Sequence, residues 1–216
     1  MRLQRAALLA YGLVAALGAF AIWGWAIGLP RLRDFGADFA PMAPAAALAF
    51  LLLASAYLAI ERGGPKARRV SWIACAVVAV LALLGLVEEL GEMRLGMNFE
   101  WLLGARSGEI PGHMSPATCV TLLALAVATP LRREQRVFGL SANTVAGSFI
   151  GAVGFFVLLG LTLRLLRFDI AAPLLGFSAP SAVATLLCAF ALGAGRPSDW
   201  LIDTLTSRRT GAVVIH

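Results

Sequence analysis

The chain has 216 residues, of which 60% are hydrophobic and only 14% charged, with 18 Lys and Arg against 12 Asp and Glu. Its mean hydropathy of +0.84 is too high for a water-soluble domain, whose apolar share is roughly 45–50%. Composition therefore excludes a soluble enzyme and points to an all-α polytopic membrane protein, in which the excess of cations is first a question of topology rather than of nucleic-acid binding.

The first element follows MRLQR and runs for about 24 apolar residues, Ala6 to Leu29, longer than the 7–15 residues of a signal-peptide core, so it reads as a retained span. At about 1.5 Å per residue against a hydrocarbon core of about 30 Å, the apolar runs predict six spanning helices near 6–29, 44–61, 70–90, 115–131, 144–166 and 179–195. These pair as hairpins, about 6–61, 70–131 and 144–195, in a membrane domain of residues 1–195 with a tail at 196–216.

A repeat underlies the pairing. PMAPAAALAFLLLASAYLAIER at 41–62, PGHMSPATCVTLLALAVATPL at 111–131 and SAPSAVATLLCAFALGAGR at 178–196 each lead through a proline into an apolar run. The distance from that proline to the next charge is 17 residues for Pro44, 16 for Pro116 and 16 for Pro180, which suggests one unit used three times. Ser115 is a natural N-cap with Pro116 at the first helical position, whereas Ala43 and Ala179 place no hydroxyl directly before their prolines.

Charge orients the hairpins. With six spans, one side gathers 12 basic residues and four acids, and the other six basic residues and eight acids. The positive-inside rule then puts both termini in the cytoplasm and the proline-led starts at the outer face. The chain is expected in a bacterial inner membrane.

Within the fifth span, Gly147 and Gly151 form a GxxxG pair, suited to an internal seam or a dimer face. Trp23, Trp25, Trp72 and Trp200 fall near helix ends, where an aromatic belt is expected. NFEWLLGA at 98–105 reads as an interfacial helix, and PSDWLIDTLTS presents Trp200, Leu201 and Leu205 as a face for a partner or the inner membrane surface. Cys75, Cys119 and Cys188 lie inside apolar runs without CxxC spacing and read as packing residues.

Chemistry is sparse. Glu88 and Glu89 close the third span at the edge of the hydrocarbon, where an ionisable group is a functional hypothesis by default. His113 and Met114 stand across the outer loop. A Glu and His pair there suits ligand binding, pH sensing near an imidazole pKa of about 6.5, or metal coordination with Met114 or Met97. The plainer alternative leaves the glutamates at the aqueous interface and His113 solvated. Two histidines, His113 and His216, on opposite sides exclude bis-His haem within one chain. No nucleotide, zinc-protease or hydrolase motif occurs, so no catalytic residue, cofactor or metal is expected.

At PGHMSPATCVTLLALA, with GLVEELGEMRLGMN before it and GAGRPSDWLIDTLTS after the last span, the chain resembles the N-terminal six-helix membrane domain that precedes PAS, histidine kinase or diguanylate cyclase domains in many bacteria. Met42, Pro44, Glu88, Met114, Ser115, Pro116 and Thr206-Ser207 match that family's pattern, while His113 replaces its usual arginine. The resemblance implies a sensory or regulatory membrane module, here without an output domain. The expected function is thus a non-catalytic module passing a signal to a protein partner. The alternatives are an accessory subunit of a respiratory or photosynthetic complex and a small transporter. Sequence alone leaves the oligomeric state open.

Overall fold

The computed structural model describes residues 2–29, 31–34, 40–91, 114–130, 136–137, 140–165 and 178–194. The interfacial stretch 98–105 and the tail 196–216 lie outside them. Helices are α1 (Arg2–Ile27), the single turn α2 (Arg31–Asp34), α3 (Pro44–Arg62), α4 (Pro65–Leu90), α5 (Pro116–Ala128), α6 (Ala142–Leu165) and α7 (Ala179–Ala194). Between α5 and α6, strands β1 (Arg136–Val137) and β2 (Leu140–Ser141) form an antiparallel ladder. The described residues outside the turns and this ladder are otherwise helical. Three helices, spanning Leu3–Ile27, Pro44–Glu61 and Pro65–Leu90, are long and apolar enough to cross a membrane, while Pro116–Ala128, Val145–Gly160 and Ala179–Ala194 are shorter apolar stretches.

Each long helix packs against two short ones. Helix α1 lies on α3 and α7, α4 on α3 and α5, and α6 on α5 and α7, so that the six helices close a ring in chain order. The short helices α3, α5 and α7 also touch one another. They form the centre and the long helices the periphery. Burial agrees: the α3 span is 56% buried, those of α1 and α4 only 33%. Among the described residues, the large exposed apolar side chains fall almost all on α1, α4 and α6, for instance Phe20, Val80 and Phe155, with only Val120, Val127 and Phe190 on the central helices.

The reason lies in side-chain size. In lipid no hydrophobic force drives helices together, and close approach by small residues does so instead. The central helices supply them: α3 is rich in alanine, and Ser, Thr, Ala and Cys dominate the buried positions of α7. Counting from the first helical residue, positions 3, 7, 10 and 14 are Ala46, Phe50, Leu53 and Tyr57 in α3, Thr118, Leu122, Leu125 and Thr129 in α5, and Ser181, Thr185, Cys188 and Leu192 in α7. All twelve are buried, and a spacing of four, three and four keeps each set on one helix face. The axis of the bundle therefore repeats in register, with hydroxyls at the proline end and Phe50, Leu53, Leu122 and Leu125 in the middle.

Three close approaches fasten the ring. A Cβ on Gly18 would lie 2.7 Å from the Ala47 carbonyl oxygen and 3.4 Å from the Leu51 amide nitrogen, so α1 meets the backbone of α3 there. Gly147 and Gly151 face α7, where added Cβ atoms would stand 3.2 Å from the Ala189 carbonyl oxygen and 3.5 Å from Ala189 Cβ. Both glycines of the GxxxG pair thus lie on a seam within the chain. Gly154 continues it against Leu186 and Thr185.

At the end opposite the prolines, Gly63 and Gly64 join α3 to α4 with φ of +75° and +92°. That left-handed backbone favours glycine and lets the chain reverse in two residues. Gln4 Nε2 donates to Glu61 Oε2 at 2.8 Å nearby, tying α1 to α3.

One tryptophan departs from the belt expectation. Trp23 and Trp72 are exposed, but Trp25 is buried and donates its indole N–H to the Met42 carbonyl at 2.8 Å. The carbonyl precedes α3 and has no helical partner of its own, so the indole satisfies both groups.

Candidate functional site

The starts of α3, α5 and α7 meet around a small pocket lined by Pro41, Ala43, Ala46, Met114, Ser115, Thr118, Ser178 and Ser181. It is half open and has room for roughly one water-sized group. Because the three starts occupy equivalent places in the repeat, the pocket stands at the proline end of the bundle axis.

Two of the starts are built alike. Ser115 Oγ accepts from the Thr118 amide at 3.2 Å and shares a proton with the Thr118 hydroxyl at 2.8 Å. Ser178 Oγ accepts from the Ser181 amide at 3.2 Å and donates to the Ser181 hydroxyl at 2.7 Å. The expected cap at Ser115 is thus observed. In α7 the first helical residue is Ala179, with Pro180 second, so the cap is Ser178, one residue earlier than the proline-based reading looked. The serine three residues ahead of Ser181 was the available signal. At α3, Pro44 opens the helix after Ala43, which has no side chain to cap with. Met42 is fully buried beneath this turn.

The pocket is thus lined by four hydroxyls, paired within the caps of α5 and α7, and by the Met114 side chain, at the starts of three helices. Helix N-termini carry partial positive charge and unpaired donors. The arrangement favours a small, neutral or electron-rich group over a cation.

Met114 links this pocket to α4. It is 4% exposed, and a Cβ on Gly85 would lie 2.5 Å from its Cε and 3.2 Å from Cys119 Sγ. Glu88 is one turn beyond Gly85 and only 5% exposed, whereas Glu89 is exposed. The two glutamates, equivalent in sequence, therefore face different surroundings, with Glu88 turned into the bundle one turn beyond the Gly85–Met114 contact. His113 lies outside the described residues, as do Trp200, Leu201 and Leu205. Met42, Met114, Ser115, Pro116 and Pro180 gather at the proline end; Gly147 and Gly151 do not, being part of the α6–α7 seam.

All three cysteines are unpaired and buried. Among the described residues no three His, Cys, Asp or Glu side chains group in a way that would hold a metal. Comparison with protein-family models, curated proteins and solved structures finds no match to this chain.

Proposed function

We propose that the protein is a six-span sensory or regulatory module of a bacterial cytoplasmic membrane, with both termini in the cytoplasm and the pocket at the outer face. The carrying observation is the pocket itself, where the starts of all three central helices meet with Glu88 buried one turn from its Met114 wall. A group entering there, or a change at Glu88, bears on Ser178 and Ser181 and so on α7. Helix α7 packs on α1 and α6 and leads towards Trp200, Leu201 and Leu205, which we assign to the contact with a protein partner. The chain resembles six-helix sensor domains, and Glu88, Pro44 and Pro116 are positions that match their pattern.

The topology is checked by labelling Lys66→Cys and Arg133→Cys variants with a membrane-impermeant maleimide in spheroplasts. Neither should react until the membrane is opened, and the native cysteines add little background because they are buried. Reaction from outside reverses the orientation.

The function is checked by crosslinking and pull-down of the full chain from native membranes, with Glu88→Gln and the pocket-filling Ser181→Phe beside wild type. A kinase, cyclase or PAS-containing partner, recovered in altered amount with either variant, supports the module. Recovery at fixed stoichiometry with a respiratory or photosynthetic assembly, indifferent to both variants, makes the chain an accessory subunit instead.

A further inference from the structure

We propose that the surface of α3 left open between α1 and α4 is a groove for one anionic phospholipid, its phosphate held by Arg5, Lys66 and Arg68 and an acyl chain lying along α3. The proposal goes beyond the sensory reading and does not depend on it. It needs only that α1, α3 and α4 cross a membrane, for which they are long and apolar enough.

The groove follows from the packing. Helix α3 has α1 on one flank and α4 on the other, with α5 and α7 on its inner side, while α1 and α4 make no substantial contact with each other. Among the described helices none is left to cover the outward side of α3. Burial shows the same opening: between Pro44 and Ala59 the residues that are not buried are Leu48, Leu51, Leu52, Ser55, Leu58 and Ala59, whose helical spacing puts them on one face. The α1 wall of this groove is low. Gln4 and Gly18 mark the line along which α1 meets α3, and Gly12, just outside it, is exposed with nothing within 4 Å of a Cβ built on it. A hydrocarbon chain laid there gains dispersion contacts with the bundle along its length.

Cations gather where the groove ends. Arg5 follows Gln4, whose side chain bonds Glu61 in the last turn of α3 at 2.8 Å. On the other flank the two-residue turn Gly63-Gly64 leads directly into α4, whose first turn carries Lys66 and Arg68. Each flank of the α3 terminus thus presents exposed positive charge. Among the described residues the acid at this place is Glu61, and its carboxylate already accepts from Gln4. The mouth is therefore net positive, and basic side chains in such positions attract anionic headgroups by about 1 kcal/mol each. Trp72, one turn beyond Arg68 and 49% exposed, supplies an indole at the depth where such rings favour the headgroup boundary. A phosphocholine headgroup brings a cation of its own and fits three positive charges poorly, which singles out a lipid of net negative charge.

The test titrates the purified full chain in neutral detergent with phosphatidylglycerol, with phosphatidylcholine of the same acyl chains, or with glycerol phosphate. Tm reads binding, because a ligand held only by the folded state raises it, and native mass spectrometry counts lipids and chains. Phosphatidylglycerol should raise Tm saturably with one lipid retained per chain, and the other two should have little effect. In the double variant Arg5→Gln and Arg68→Gln the midpoint should move to roughly tenfold higher lipid or beyond. Arg208→Gln with Arg209→Gln, which removes the same charge from the tail, should leave it in place. Ser55→Phe, which fills the groove without touching a cation, should lower retention while the lipid-free Tm holds. Equal stabilisation by phosphatidylcholine, or by glycerol phosphate, overturns the proposal, the first removing charge recognition and the second the acyl chain. Equal loss from the two arginine pairs reduces the effect to bulk charge, and full retention by Ser55→Phe empties the groove; either overturns it. So does a dimer of the chain that phosphatidylglycerol leaves intact and Ser55→Phe disperses, which gives the groove to a second copy.

Discussion

Replacing Gly18 by leucine is expected to unseat α1 from α3 and to lower the yield of folded, monodisperse protein several-fold. Even a single Cβ at this position would stand 2.7 Å from a carbonyl oxygen of the facing backbone, and a main chain cannot turn aside as a flexible side chain can. Overpacking of a tight interior typically costs about 1–3 kcal/mol. A leucine facing backbone lies at the upper end, equivalent to a Tm loss on the order of ten degrees for a chain of this size. Gly12, two turns earlier on the same helix, has nothing within 4 Å of its would-be Cβ. Gly12→Leu should therefore be neutral or slightly stabilising, since leucine is the better helix former by roughly 0.5–1 kcal/mol. Thermal unfolding of both variants by fluorescence-detected gel filtration decides the matter. Equal behaviour would mean that α1 and α3 do not meet at Gly18.

Truncating Phe50 to alanine is expected to destabilise the bundle by about 3–5 kcal/mol, the range for a large buried ring. Its position decides this: Phe50 is fully buried in the middle of the axis, at the same register as Leu122 and Thr185, where no lipid chain can refill the space. Loss of dispersion contacts operates in a membrane as it does in water. Phe149→Ala supplies the comparison, since that ring is 57% exposed on α6 and its removal only exchanges protein surface for lipid contact. Thermal unfolding should show a Tm drop on the order of ten degrees for Phe50→Ala and little for Phe149→Ala. Similar losses would place Phe50 at the periphery and dissolve the central triad.

The helices were legible because hydropathy, proline and charge speak for them directly. Pro44 and Pro116 open α3 and α5, Pro180 is second in α7, and the arginine-rich breaks separate the hairpins. Which helices lie inside was less legible, because lipid and protein interior are equally apolar and periodicity of hydrophobicity fades between them. The better signal was size. Rings and branched chains on α1, α4 and α6 sit opposite alanine, serine and threonine on α3, α5 and α7.

The candidate site was readable in outline only. The repeat placed three helix starts at one end, yet nothing in the sequence showed that they meet around one pocket, since that depends on the central triad. Glu88 and Glu89 looked alike in sequence, and only the packing of the folded chain, which buries the first and leaves the second exposed, tells them apart. Trp25 was found by position and misjudged by direction, for want of knowing that the Met42 carbonyl lay within reach.

Closure of the ring has a consequence for biogenesis. Because α7 is the neighbour of α1, the first hairpin leaves the ribosome with one flank uncovered and must wait for the last helix to dock. In the membrane arrangement proposed above, the translocon or an insertase would have to shelter the narrow, alanine-lined flank of that hairpin through most of translation. Early termination before Ala179 would strand an open five-helix crescent, a natural substrate for membrane proteases.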